Sequence, residues 1–302
     1  MTLAQNAAGK LNGTWAIPAH IGNHQPQRGL HVQNAITNQT KTKLTTIHST
    51  LIKNMTNAEY HAMPGISKSG LDLINKSPAH YKWAQENPTP QTPAMRIGSL
   101  THLAILEPDT YNAECVVVPT LDRRTKEGKA KWDEFVAANP GRELMSNDEH
   151  SRIVAMRESV MAHPMARKLL DRIAQVEESI FWTDEETGVA CRCRPDAILD
   201  NGFLIDLKTT NDAGRGFEKS VRQYRYNVQS AFYAMGMHGA PMIFVAVEKD
   251  PPHLVACYML DPDTIADGEY DARQNLETYA ECMATGIWPG YSAGIQTISI
   301  TQ

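Results

Sequence analysis

The chain lacks any C-x-x-C pair, and its five cysteines, Cys115, Cys191, Cys193, Cys257 and Cys282, are odd in number. That argues against a disulfide framework and against a cysteine-built zinc or iron–sulfur site, and fits a reducing compartment. No apolar run approaches the roughly 18 residues of a transmembrane helix. No charged segment followed by an apolar core opens the chain, so no secretion signal is expected. A cytoplasmic protein, of a bacterial host or encoded by a phage, is the resulting expectation. There is no phosphate-loop motif, which speaks against a nucleotide hydrolase or transferase, and no internal repeat. Acidic residues are missing from positions 1–55, where Lys10, Arg28, Lys41, Lys43 and Lys53 stand alone; the first acid is Glu59.

What is present suits a globular protein. Of 302 residues 42% are apolar, enough for a sizeable core, and 21% are charged. The formal net charge is −5, so the chain is not a generic basic nucleic-acid binder. Any nucleic-acid site must be a local patch, or a metal site that offsets the phosphates. Residues 1–55, rich in Asn, Gln, Thr and His, read as a basic and disordered leader. A basic arm that touches phosphates is the alternative. Residues 56–302 read as one domain.

That domain opens with Thr56-Asn57-Ala58-Glu59, a capping box. Ser67, with Gly70 three residues on, starts an amphipathic helix. Ser67, Lys68 and Ser69 crowd its N-terminus, either as a phosphate seat or as ordinary capping. PTPQTP (88–93) is a loop, and AMRIGSLTHLAILEP after it is a buried helix containing His102, either a core histidine or a ligand. Arg123 and Arg124 lie in a charged segment before a helix near 129–138, a solvated face or a DNA-facing loop. Ser146 caps a helix to about Met161, and a short helix runs to about Ile173. Strands are expected at 177–183, 191–199, 203–210, 242–248 and 253–260, with helices at 227–237 and 263–285. The first three strands form a meander. The fold class is α/β, a mixed central sheet flanked by helices.

The most informative stretch is CRCRPDAILDNGFLIDLKTT, 191–210. Asp200-Asn201-Gly202 reads as a three-residue hairpin loop with Gly202 in the left-handed region. Leu199 then pairs with Phe203, and Asp196 lies opposite Asp206 on one sheet face, with Lys208 beside them. A two-residue loop would put the aspartates on opposite faces. Folding gains nothing from a like-charge pair, whereas a hard divalent cation seeks oxygen ligands. Lys208 can orient or deprotonate a water, or stabilise a developing anion. An exposed face with incidental charges is the competing reading. Downstream, Gln229 and Tyr233 are four residues apart on one helix face. Upstream, Gly98 and His102 make a Gly-x-x-x-His.

Taken together, the blocks YHAMPGISKSGLD, IGSLTHLAILEP, RRTKEGK, ESIFW, ETGVACRCRPDAI, DLKTT, YRYNVQSAFY and a late WP resemble the PD-(D/E)XK nuclease superfamily. Within it they resemble the RecB-like branch and, most closely, the nuclease domain of the prophage exonuclease VIII (RecE) family. The leader does not match that family's long N-terminal region. The resemblance implies a restriction-endonuclease-like core and a 5′→3′ exonuclease on linear duplex DNA. It implies 3′ overhangs for a RecT-like single-strand annealing protein, and a homotetrameric ring. An endonuclease on this fold, or an inactive DNA-binding recombination subunit, are the alternatives. Asp196, Asp206, His102 and the Leu207 carbonyl are implied as ligands of Mg²⁺, with Mn²⁺ able to substitute. Lys208 is implied to position the attacking water, and Gln229 and Tyr233 to bind DNA or steady Lys208. Glu177, at the start of ESIFW, is implied to face the site, linked to metal or structural. Ser67, Lys68, Ser69, Arg123, Arg124, Arg192, Arg194, Thr209, Arg225 and Tyr226 are the expected DNA contacts. Arg192 and Arg194 lead that set, because they share the strand face with Asp196.

Overall fold

Capping side chains set most of the helix starts in the computed structural model, which describes residues 49–299. A short strand β1 (Thr50–Ile52) precedes helix α1 (Asn57–Ala62), whose Thr56/Glu59 capping box forms as expected. Ser67 accepts the Gly70 N–H to open α2 (Lys68–Lys76), and Ser77 does the same for α3 (Pro78–Glu86). Thr92 caps α4 (Pro93–Leu106), with Pro93 in the first turn, where its missing N–H costs nothing. Helix α5 (Pro108–Glu114), strand β2 (Cys115–Val117), helix α6 (Lys126–Ala138) and strand β3 (Glu143–Met145) follow. Helix α7 (Asn147–Ala162) has the second capping box, Ser146 with Glu149, and α8 (Pro164–Leu170) comes next.

The strands then come close together: β4 (Ile173–Val176), β5 (Ser179–Thr183), β6 (Ala190–Cys193), β7 (Ala197–Leu199) and β8 (Leu204–Thr210). Helices α9 (Phe217–Gln223) and α10 (Tyr226–Gly236) lead to β9 (Met242–Glu248), β10 (Val255–Tyr258) and the long α11 (Pro262–Thr285). The central sheet has the order β10-β9-β8-β7-β4, in which β8 and β9 are parallel and the other neighbours antiparallel. A second sheet has the order β1-β5-β6, and β2 and β3 form a parallel pair.

Alternation along β8 and β9 assigns the two sheet faces. Leu204, Phe244 and Ala246 join a core with residues of α2, α10 and α11. Ile205, Leu207, Val245 and Val247 join the other core, with residues of α4, α7 and α8. Strand β9 is buried on both faces, as a parallel strand between helical layers must be. The mixed α/β class is the one expected. Among the described residues no helix is long and apolar enough to cross a membrane.

The expected strand 191–199 is two strands in two sheets. Residues 190–193 pair with β5, and residues 197–199 pair with β8. The break is at Arg194-Pro195-Asp196, because Pro195 has no N–H to continue a ladder. The expected three-strand meander is thereby divided between the sheets. Other elements differ as well. Residues 173–176 form a strand where a helix was expected to end, and Glu177 makes a turn at φ 51° rather than opening a strand. Helix α9 lies where no element was expected. The expected leader falls mainly on residues 1–48, outside the described part, while Thr50–Ile52 pairs with β5.

Candidate active site

The loop after β7 has the expected length. Leu199 N–H donates to the Phe203 carbonyl, Gly202 sits at φ 82°, and Ala197 pairs with Ile205. This register continues to Asp196 opposite Asp206. Hydrogen-bonded pairs alternate in an antiparallel ladder, so 199–203 and 197–205 would be followed by 195–207. Pro195 has no N–H to complete that pair, and the chain leaves the ladder here. Instead the Leu207 N–H donates to Asp196 Oδ2 at 2.6 Å. The Leu207 carbonyl points to the same side, where Pro195 has no proton to give.

Asp206 and Lys208 lie on the β8 face that meets α10. Gln229 of α10 spans them: its Nε2 donates to Asp206 Oδ1 at 2.5 Å, and its Oε1 accepts from Lys208 Nζ at 3.2 Å. Lys208 Nζ forms an ion pair with the buried Asp206 Oδ2 at 2.5 Å. Lys208 Nζ also stands 4.6 Å from the ring centroid of Tyr226. From α4, on the other side of the sheet, His102 Nδ1 approaches Asp196 Oδ2 at 3.3 Å. Glu177 N–H donates to the Asp196 carbonyl. A groove of about 640 Å³ opens here, lined by His102, Glu177, Arg194 and Glu107 among others.

Burial and charge divide the carboxylates. Burial pushes Asp206 up, with Asp196 adding to it and Lys208 opposing. Burial also works to raise Asp196, but His102, Lys208 and the Leu207 N–H hold it below the usual range. Burial disfavours charge on Lys208 and His102; the aspartates outweigh it, so both are raised. Glu177 is pushed up to about 7, first by burial and then by Asp196. Two carboxylates of unlike proton affinity thus share a site with an ammonium that stays charged.

The donor set fits a hard divalent cation. It offers the carboxylate oxygens of Asp196 and Asp206, the backbone carbonyl of Leu207 and the His102 imidazole. Among the described residues no three His, Cys, Asp or Glu side chains enclose an ion. Such an ion would therefore keep several waters, as Mg²⁺ usually does.

The expected DNA contacts fare differently. Arg192 and Arg194 are spent on the fold, which corrects their place at the head of that set. Arg192 Nη1 donates to the carbonyls of Tyr60, His61 and Met63. Arg194 donates to Ser179 Oγ and to the carbonyls of Met55 and Thr56. The physical reason is the break at Pro195, which removes both from the strand that carries Asp196. Arg225 is held by Asp72, Asp271 and Asn275, and Lys68 by Asp72 and the Tyr224 carbonyl. Ser67 is a helix cap, with Ser69 hydrogen-bonded to it. Arg123 packs 3.9 Å from the Trp132 ring, and Arg124 is exposed beside Asp122. Thr209 lies against Gly98 of α4, on the sheet face opposite Lys208. Tyr226 stands beside Lys208, and the Tyr233 hydroxyl donates to the Arg194 carbonyl at 3.5 Å, within the core. Tyr233 thus steadies the chain before Asp196.

Arg215, Lys219 and Arg222 at α9 were not anticipated. They are exposed, with no carboxylate in ion-pair range among the described residues. The signal was available: three basic residues lie within eight positions between the D-x-K strand and the Gln-x-x-x-Tyr helix.

A crystal structure from Eubacterium rectale, described as a candidate exonuclease, aligns with TM-score 0.54 at 12% identity, over 82% of this chain and 96% of that one. At that identity the likeness is one of fold. The crystal structure of SSO0001 aligns with TM-score 0.26 at 16% identity over 59% of this chain and 85% of that one, and carries no argument. No curated protein matches. The family model for a PDDEXK-like domain of unknown function, DUF3799, matches residues 67–301, which include His102, Asp196, Asp206, Lys208 and Gln229. The chain belongs to this family of PDDEXK-like domains.

Proposed function

We propose that the protein is a divalent-metal-dependent nuclease that degrades linear duplex DNA from its ends. The observation that carries this is the Asp206–Gln229–Lys208 unit, with Asp196 set opposite Asp206 by the register of the sheet. Asp196, Asp206, the Leu207 carbonyl and His102 would hold Mg²⁺ or Mn²⁺. The ion, when bound, supplies Lewis-acid polarisation of the phosphoryl group and a more acidic water. Lys208, kept charged by the aspartates, orients a water and stabilises charge at phosphorus. Gln229 fixes the Lys208 ammonium at one position. Leu207 N–H holds the Asp196 carboxylate at the strand edge, and His102 supports it from α4.

Polarity 5′→3′, 3′ overhangs for a single-strand annealing protein, a homotetrameric ring and a cytoplasmic setting are carried by the exonuclease VIII-like blocks. The test uses linear duplex DNA labelled at either the 5′ or the 3′ end, with Mg²⁺, Mn²⁺ or EDTA, beside a closed circle. Metal-dependent release of 5′ mononucleotides with the circle intact is the expected result. Cleavage of the circle reassigns the protein as an endonuclease. Binding without cleavage reassigns it as a DNA-binding subunit.

A further inference from the structure

We propose that Tyr224 is a base-stacking platform for the terminal nucleotide of a DNA strand at the active site. This rests on the nuclease reading above and names a contact of that same site.

Tyr224 ends α9 and is 51% exposed, unusual for a large ring whose backbone is so firmly held. Its ring lies 5.7 Å from that of Tyr226 at 25°, and Tyr226 lies 5.5 Å from Phe244 at 23°. Tyr226 is also the ring over which Lys208 Nζ stands. The exposed face is therefore one stacking step from the ring that borders the catalytic ammonium. A nucleobase on Tyr224 would extend an aromatic stack that the core already anchors.

The ledge is rigid. Tyr224 N–H donates to the Ser220 carbonyl, and its own carbonyl accepts from Lys68 Nζ. The next residue, Arg225, takes φ 51°, a conformation disfavoured for a side-chain-bearing residue. Its guanidinium is fixed by Asp72, Asp271 and Asn275. Strain at Arg225 turns the chain sharply between α9 and α10 and presents the Tyr224 ring beside the site. Stacking on a ring face is also tolerant of sequence, as an enzyme that consumes every base in turn requires.

The test is binding of hairpin DNA with one open end, labelled in its loop, with Ca²⁺ in place of Mg²⁺ and anisotropy as readout. Tyr224→Ala should weaken binding by about 5- to 100-fold, the usual range for one base–aromatic stack. Tyr224→Phe and Tyr224→Trp should bind within about threefold of the parent. On a hairpin whose terminal nucleotides are abasic, parent and Tyr224→Ala should bind alike. Equal binding of Tyr224→Ala and parent to the intact end overturns the proposal. So does an equal loss on the abasic end, which would mark a structural role. Failure of the parent to cleave DNA in Mg²⁺ would instead count against the nuclease reading, and the binding series still decides the stack.

Discussion

Asp196 Oδ2 accepts the Leu207 N–H at 2.6 Å, a hydrogen bond that a continuous strand β7 would have given to a backbone carbonyl. The carboxylate that faces the site therefore also completes the sheet. Chemistry and folding are tied at one side chain, and substitutions there separate the two.

Asp196→Asn keeps an amide oxygen able to accept from Leu207, so the fold should persist while Mg²⁺-dependent digestion falls by at least about 100-fold. Asp196→Ala leaves the Leu207 N–H without a partner and should cost a further 1–3 kcal/mol or so of stability. Thermal unfolding beside a digestion assay of both variants checks this. Equal stability of the two would show that the Leu207 bond matters little.

Lys208→Ala should abolish digestion of linear duplex, a loss of roughly 10²- to 10⁴-fold, while DNA binding stays measurable. Digestion at the parent rate would place the reaction elsewhere.

Gln229 donates to Asp206 and accepts from Lys208. Gln229→Ala loses both bonds and should lower kcat by roughly tenfold or more with little change in KM, the signature of a group that acts through Lys208. Gln229→Glu sets a second carboxylate against buried Asp206 and should destabilise the metal-free protein. Steady-state kinetics and unfolding in EDTA give the two readouts.

His102→Ala should shift the Mg²⁺ titration of activity to higher concentration by roughly 10- to 100-fold, through loss of a ligand or of support to Asp196. An unchanged titration with lowered stability would make His102 a purely structural partner of Asp196.

Arg96 of α4 reaches Glu143 and Glu149, each at 2.5 Å, tying the helix that carries His102 to the start of α7. Burial works to raise Glu149, but the Ser146 cap and Arg96 hold its carboxyl below the ordinary 4.5. Because the folded value is the lower one, this stabilisation is present above 4.5 and is lost as pH falls through the folded value. Glu149→Gln should cost about 1 kcal/mol or less at pH 7, the pair being partly exposed, and should flatten the acid side of the stability curve. Denaturant titrations across pH 3–7 test this.

The sequence by itself determined the capping boxes at Thr56 and Ser146 and the buried pattern of β9, because these depend on residues within a few positions of one another. It also determined the loop of Asp200-Asn201-Gly202 and, through it, the register that sets Asp196 against Asp206. Tertiary structure decided the rest. Whether a basic residue is free depends on carboxylates and carbonyls distant in sequence, so Arg192, Arg194 and Arg225 looked available and are spent. Pro195 marked a break that the β-rich pattern on either side concealed, since membership of a sheet is settled by the partner strand and not by the strand itself. The same holds for Tyr224: its place one ring from Lys208 exists only because β8, α9 and α10 pack together.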